Sequence, residues 1–363
     1  MRMGTPGGKR GFPANFGTAE ASPAPHGTTV APATPLRVGV SVALAVALLA
    51  FFFWRAPLAE VATTLARVRP GWVAVAVVLS LASYALRALR WGAILKPVGA
   101  APAAALLGCT AAGFATSTIL PGRIGEVVRP LLLSRRTGLP VAGTLASILT
   151  ERLTDLATLL AVFAGGVILA SDRLAAAAGP ALRQTAVLAA LGLLVAFLFV
   201  FVLLHFRASA VGRFARLVPL GWRDRVTSFL NHLLNGLEAV RSARRLAELA
   251  AWSAAVWGTA IVQIEALAQG FGLPLGVAAS AVLIGVSVIG LAVPTPGGVG
   301  SFHAAIQFGL ATLLGVDLAD ATAFAIVHHA VCFFPITLAG LGYMSAVGLR
   351  PSSAAKLAAP GGT

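Results

Sequence analysis

The chain has 363 residues, of which 58% are hydrophobic and only 11% charged, with a mean hydropathy of +0.89. A soluble domain carries about 25% charged residues, so a water-soluble globule is excluded and an all-α, polytopic helical membrane protein is expected. The formal net charge is +15, but the arginines gather between apolar segments, where membrane topology and anionic headgroups account for them better than nucleic acid does.

Residues 1–37 are rich in Gly, Pro, Ala and Thr and include Lys9 and Arg10, without apolar periodicity. They read as a disordered basic tail. The first apolar run, Val38 to Trp54, lies far from the start and has no small-residue cleavage site after it, so it reads as an uncleaved first helix. Further apolar segments are expected at 72–95, 103–119, 140–170, 185–206, 247–270, 276–293, 299–316 and 320–347. The membrane domain thus covers 38–347, with a short C-terminal tail at 348–363.

The one long polar stretch inside it, 207–246, carries eight arginines against Asp224 and Glu238 and is placed in the cytoplasm by the positive-inside rule. Within it Trp222, Val226, Phe229, Leu230, Leu233, Leu237 and Val240 recur at helical spacing. That spacing fits either an amphipathic helix on the inner leaflet or a solvated linker helix packed on the protein. Propagating the orientation backwards leaves Arg87, Arg90 and Lys96, at the end of 72–95, on the same side as Arg135 and Arg136. Residues 103–136 then cannot cross as one helix; they must dip in and return as a hairpin with Pro121-Gly122 near its tip. In the second half, 276–316 forms either a similar hairpin around 294–298 or two crossings, and Arg350 and Lys356 return to the cytoplasm. The two halves, about 72–170 and 247–347, then form an inverted-topology repeat with two Pro/Gly-broken re-entrant hairpins.

The tips themselves are related. Residues 121–126 read Pro-Gly-Arg-Ile-Gly-Glu and residues 296–301 read Pro-Gly-Gly-Val-Gly-Ser, 175 positions later. Pro removes a backbone donor and Gly weakens a helix. In a membrane such breaks are tolerated only where the backbone is buried in protein or lines a wet cavity, and paired breaks point to a transporter's central site. Arg123 and Arg129 offer forked donors suited to phosphate. Gly122, Gly125, Gly297, Gly298 and Gly300 would leave backbone N–H groups open beside helix N-termini, an arrangement that suits an anionic headgroup. Glu126 can pair with one of the arginines. His303 could meet a headgroup, titrate, or serve as a satisfied structural histidine.

Charges inside spanning segments cost about 2.5–3.5 kcal/mol each on insertion scales, so each invites a functional hypothesis. Glu151 and Asp155 share a helix face, and Arg152 is three residues from Asp155 and can pair with it. This cluster reads as a gating or coupling site or as an ion pair bracing the hairpin. At the matching distance from the second tip stand His328 and His329, and Arg90 matches Glu265 across the 175-residue offset. Enzyme motifs are missing. Adjacent histidines point about 100° apart on a helix, a poor metal pair, and no HExxH, GxSxG, Walker or dinucleotide fingerprint occurs. Cys109 and Cys332 lie in apolar stretches and read as packing residues. No cofactor, metal or catalytic residue is expected.

LPGRIGE (120–126) with Arg129 and Arg136, ERLTD (151–155), VPTPGGVGSFH (293–303) and the late histidine pair together resemble the lysylphosphatidylglycerol synthase transmembrane-region family. These flippase-like proteins include the N-terminal part of bacterial multiple peptide resistance factors. The resemblance covers about residues 40–347. It implies a bacterial inner-membrane protein with cytoplasmic termini that moves an anionic or glycosylated lipid between leaflets. The alternative is a non-catalytic accessory protein that binds a lipid-linked intermediate for a partner enzyme of envelope lipid or polysaccharide assembly. Larger relatives add a cytoplasmic aminoacyl-transferase domain, which is not expected after the tail at 348–363, so lysyl transfer is not carried over.

Overall fold

A computed structural model describes residues 35–120, 123–181, 184, 187, 188, 191, 192, 194, 195 and 243–349. The expected segment 185–206 and linker 207–246 fall largely outside the described residues, as do Pro121 and Gly122. The described residues are helical, with no strand among them.

Helices α1 (Pro35–Trp54) and α2 (Leu58–Arg67) meet at a bend of 88°. They are followed by α3 (Pro70–Leu95), α4 (Ala103–Ile119), α5 (Gly125–Thr137), α6 (Val141–Leu169) and α7 (Ser171–Ala178). The second half comprises α8 (Ala243–Phe271), α9 (Gly276–Ala292), α10 (Ser301–Phe308) and α11 (Leu318–Ala346). A short 3-10 turn at Pro296–Gly298 precedes α10, and a π turn at Gly309–Leu313 follows it.

Prolines punctuate the first half. Pro70 occupies the first position of α3, where its missing N–H costs nothing, and extended Pro102 and Pro140 precede α4 and α6. At the end of α5, Gly138 takes a left-handed φ of 72° and donates to Ser134 O at 2.8 Å, closing the helix.

Three described helices, α3, α6 and α11, are long and apolar enough to span a bilayer, and up to five spans result if each bent pair counts as one. At 1.5 Å per residue they exceed the roughly 30 Å hydrocarbon core. Trp54, Leu169, Val277, Ile289, Phe334 and Leu338 point outward rather than into the protein, as lipid-facing side chains must. The chain is an all-α polytopic membrane protein.

Order and length repeat between the halves. Helices α3 and α8 have 26 and 29 residues, α4 and α9 have 17 each, and α6 and α11 have 29 each. The 13 residues of α5 are matched by the eight of α10 plus the five of the π turn. The segment expected at 299–316 is therefore a short helix that loosens into a wider turn. The packing is also reciprocal: α4 lies against α11, α9 lies against α6, and α3 and α8 lie side by side. Within each half the broken pair doubles back on itself, α4 on α5 and α9 on α10. Gly113 and Gly125 permit the first of these contacts, because a Cβ on Gly125 would enter the Gly113 carbonyl.

Helix α2 has no counterpart among the expected segments. It is short, and it buries Val61 against Ala319 and Ala323 of α11 while Thr64 Oγ1 donates to Asp320 Oδ1 at 3.0 Å. The larger core gathers Leu283, Phe302, Ile306, Leu310 and Phe324 in the second half. A second core, around Trp91, Leu95, Cys109 and Leu133, supports the first broken pair.

Candidate functional site

The two tips and the charged turn of α6 converge on one cavity of about 510 Å³. The first tip contributes Arg123, Gly125, Glu126 and Arg129; the second contributes Pro294, Thr295, Gly297 and Gly298. Arg152 and Asp155 reach it from α6, Tyr84 and Arg87 from α3, and Trp257 from α8. The tips also touch directly. Arg123 Nη2 donates to Leu291 O at 2.5 Å, and a Cβ on Gly297 would stand 3.1 Å from Thr118 O of α4. Arg123 holds a left-handed φ of 55°, a conformation uncommon outside glycine.

Behind the cavity wall lies a dense charge cluster. Glu151 is fully buried and receives Arg129 Nη1 at 3.0 and 2.9 Å on its two oxygens, with Arg90 Nη2 at 3.7 Å and Arg152 Nη2 at 3.6 Å. Asp155 meets Arg90 Nη2 at 2.7 Å, Arg87 Nη1 at 3.5 Å and Arg152 Nη1 at 3.9 Å. Each carboxylate is thus shared by three guanidiniums. A charge buried at such depth is tolerable only when paired and hydrogen-bonded. Aromatic faces supply further support, with Arg129 3.9 Å over Trp91 and Arg87 4.9 Å over Trp257. Arg90 Nη1 donates to Ser253 Oγ of α8 at 3.2 Å, tying the cluster across the two halves.

The expected pairing of Arg152 with Asp155 exists but is the longer of its two contacts. Arg129, expected as a phosphate donor, spends one nitrogen on Glu151, while its Nε and Nη2 meet no acceptor among the described residues. Glu126 pairs with Arg123 at 3.8 Å.

The expected open N–H groups of the second tip are partly occupied. Gly298 N donates to Thr295 O at 3.2 Å, and Gly300 N donates to His303 Nδ1 at 3.4 Å. Gly300 packs on α1, where a Cβ would lie 2.8 Å from Ala45 O. His303, His328 and His329 do not line the cavity. They stand behind the second tip in an aromatic nest, with the His303 and His329 rings 4.4 Å apart and Phe333 stacked on His329. His329 Nε2 bonds Gly297 O at 2.8 Å. Glu265 is also outside the cavity. It accepts from Ser280 Oγ at 3.0 Å and Gln269 Nε2 at 3.4 Å, joining α8 to α9.

Arg87, Arg90 and Trp257 were not among the expected site residues. The two arginines look like topology markers at a helix end. The available signal was their own spacing, which puts both on one face of α3, toward the carboxylates of α6.

Among curated proteins, the chain is 28% identical over 340 residues to Glycosyltransferase AglD of Haloferax volcanii, an alignment covering 81% of this chain and 52% of that protein. The chain therefore spans about half the length of that relative. Residues 38–340 match the family described as Lysylphosphatidylglycerol synthase TM region, which takes in both tips, the charge cluster and the histidine nest. The chain belongs to the lysylphosphatidylglycerol synthase transmembrane-region family.

Proposed function

We propose that this protein is a lipid transporter of the flippase type, moving an anionic or glycosylated headgroup across the inner (plasma) membrane while the acyl or prenyl tails stay in the bilayer. The observation that carries the reading is the convergence of both broken tips on a single cavity walled by arginines. Arg123 and the nitrogens of Arg129 not taken by Glu151 hold phosphate, with Gly125, Gly297 and Gly298 letting the backbone approach it. Glu151, Arg152 and Asp155 couple headgroup arrival to the cross-helix ion pairs. His329, His303 and His328 steady the second tip, and Glu265 fixes α8 to α9.

The reciprocal packing of α4 on α11 and α9 on α6 supports a two-fold relation between the halves. In the inverted form, with cytoplasmic termini, one half rocks against the other around a fixed site. Helices α4 and α5 are shorter than a full crossing, which favours re-entrant hairpins.

The test is translocation of labelled phospholipids in proteoliposomes, with wild type beside Arg123→Ala and Glu151→Gln. Loss of transport in both variants, with intact folding, supports the hairpin site as the route. Absence of movement for every headgroup sinks the transport reading. It would favour a non-catalytic accessory protein that presents a lipid-linked intermediate to a partner enzyme. That second reading draws on the longer relative, which bears the name of a glycosyltransferase.

A further inference from the structure

The charge around the cavity does not balance. Among the described residues, Arg87, Arg123, Arg129 and Arg152 face it against Glu126 and Asp155, so four guanidiniums meet two carboxylates and two positive charges are in excess. Arg90 and Glu151, just behind the wall, cancel each other and leave that excess unchanged. Glu151 and Asp155 are each already shared by three arginines, so neither has capacity left to neutralise more. Arg129 and Asp155 are buried and Arg87 is largely so, where uncompensated charge is costly, while Arg123, Glu126 and Arg152 stand partly open at the cavity mouth.

Hydrogen-bond capacity is in surplus too. Nε and Nη2 of Arg129 and Nε1 of Trp257 are buried without an acceptor among the described residues, on two cavity-lining side chains that are 4% and 7% exposed. Both oxygens of Asp155 also lack a well-formed hydrogen bond, but they lie within ion-pair distance of three arginines. The cavity-lining atoms with no partner of either kind are therefore donors, which suits a group rich in acceptors. A phosphodiester brings one charge and two free phosphoryl oxygens. A phosphate monoester brings two charges and three free oxygens, and a sugar-capped diphosphate brings two charges and four.

Resting on the proposed lipid-headgroup function, we infer that the headgroup held in this cavity carries two negative charges on phosphoryl oxygens, as a terminal phosphate monoester or a diphosphate does, rather than the single charge of a phosphodiester. Two charges neutralise the cavity; one leaves a residual positive charge there. Arg87 and Arg152 act as specificity residues, because each supplies one unit of the excess while pairing with the already shared Asp155.

The full chain in neutral phosphatidylcholine nanodiscs would be titrated with three short-chain probes: phosphatidic acid, a sugar-capped prenyl diphosphate and phosphatidylglycerol. At about pH 7.5 the first two are expected to bind about ten-fold more tightly than phosphatidylglycerol. At about pH 5 the monoester takes up one proton, falls to a single charge and loses its advantage, whereas the diphosphate keeps it, which separates the two sources of the same chemistry. Arg152→Gln, at a side chain 40% exposed and so tolerant of replacement, removes one unit of excess. It should bring the three probes close to parity without abolishing phosphatidylglycerol binding. Equal affinity of wild type for all three probes at the higher pH overturns the two-charge inference and leaves the transport reading standing. Binding of none of them overturns both.

Discussion

The two tips share a sequence pattern and differ in almost everything chemical. The first, between α4 and α5, brings Arg123, Glu126 and Arg129 to the cavity and is backed by the buried carboxylates of α6. The second, between α9 and α10, brings Val293, Pro294, Thr295 and glycines, none of them charged, and is backed by three histidines and phenylalanines. A broken helix supplies a place where backbone and ligand can meet; the residues around the break decide what happens there. One copy holds the charge and the other holds the shape.

The largest expected effect follows from Glu151. Glu151→Ala leaves Arg129, Arg90 and Arg152 facing one fewer carboxylate in a fully buried setting, and should destabilise the protein by about 3–5 kcal/mol. Thermal or denaturant unfolding in detergent would read this, and a loss below about 1 kcal/mol would mean that the first tip is not held by its charges.

Next comes the hairpin contact. Gly125→Ala places a methyl group into the carbonyl of Gly113, where backbone meets backbone, and should cost about 1–3 kcal/mol. Gly298→Ala mainly meets the flexible end of Leu291, so its crowding is milder and its cost is chiefly conformational at a φ of 68°. If the two substitutions crowd their tips equally, the contrast in construction fails.

A smaller effect is expected at His329. His329→Phe keeps the aromatic stack on Phe333 and removes the bond to Gly297 O, a loss of about 0.5–1.5 kcal/mol. It should slow transport while leaving lipid affinity in nanodiscs unchanged, because the ring stands behind the cavity rather than in it. An equal loss of affinity would make the second tip a binding element like the first.

The smallest stability change belongs to Arg123→Ala. Its side chain is 54% exposed, so the unfolding midpoint should stay within about 0.5 kcal/mol of wild type, while headgroup binding weakens.

Most of the described apolar segments, the second break and the Glu151–Asp155 turn were legible because each is a local pattern: a hydrophobic run, a Pro/Gly break, two acids one turn apart. The family membership was legible for the same reason. Arg87, Arg90 and Trp257 were not, because their role depends on which helix faces α3, and side-chain pairs between helices leave no local trace. The same holds for Glu265. Its coincidence with Arg90 across the repeat suggested a shared site, whereas it bonds Ser280 on α9 and stands outside the cavity. Helix α2 was missed because ten residues of mixed polarity form a stable helix only against α11. Two of the three open N–H groups expected at the second tip, those of Gly298 and Gly300, were already claimed by Thr295 and His303, a consequence of backbone geometry that composition does not reveal.

The reciprocal packing of α4 on α11 and α9 on α6 bears on how the chain is made. Helices α4 and α6 leave the ribosome with a face whose partner has not yet been synthesised. At about 5–20 residues per second, α4 waits roughly ten to forty seconds for α11. During that interval the described charge partners of Arg129, Glu151 and Asp155 are one another, Arg152 and the arginines of α3. Every member of the Glu151 and Asp155 ion pairs lies between Arg87 and Asp155, so that network can close before any of the second half has been made.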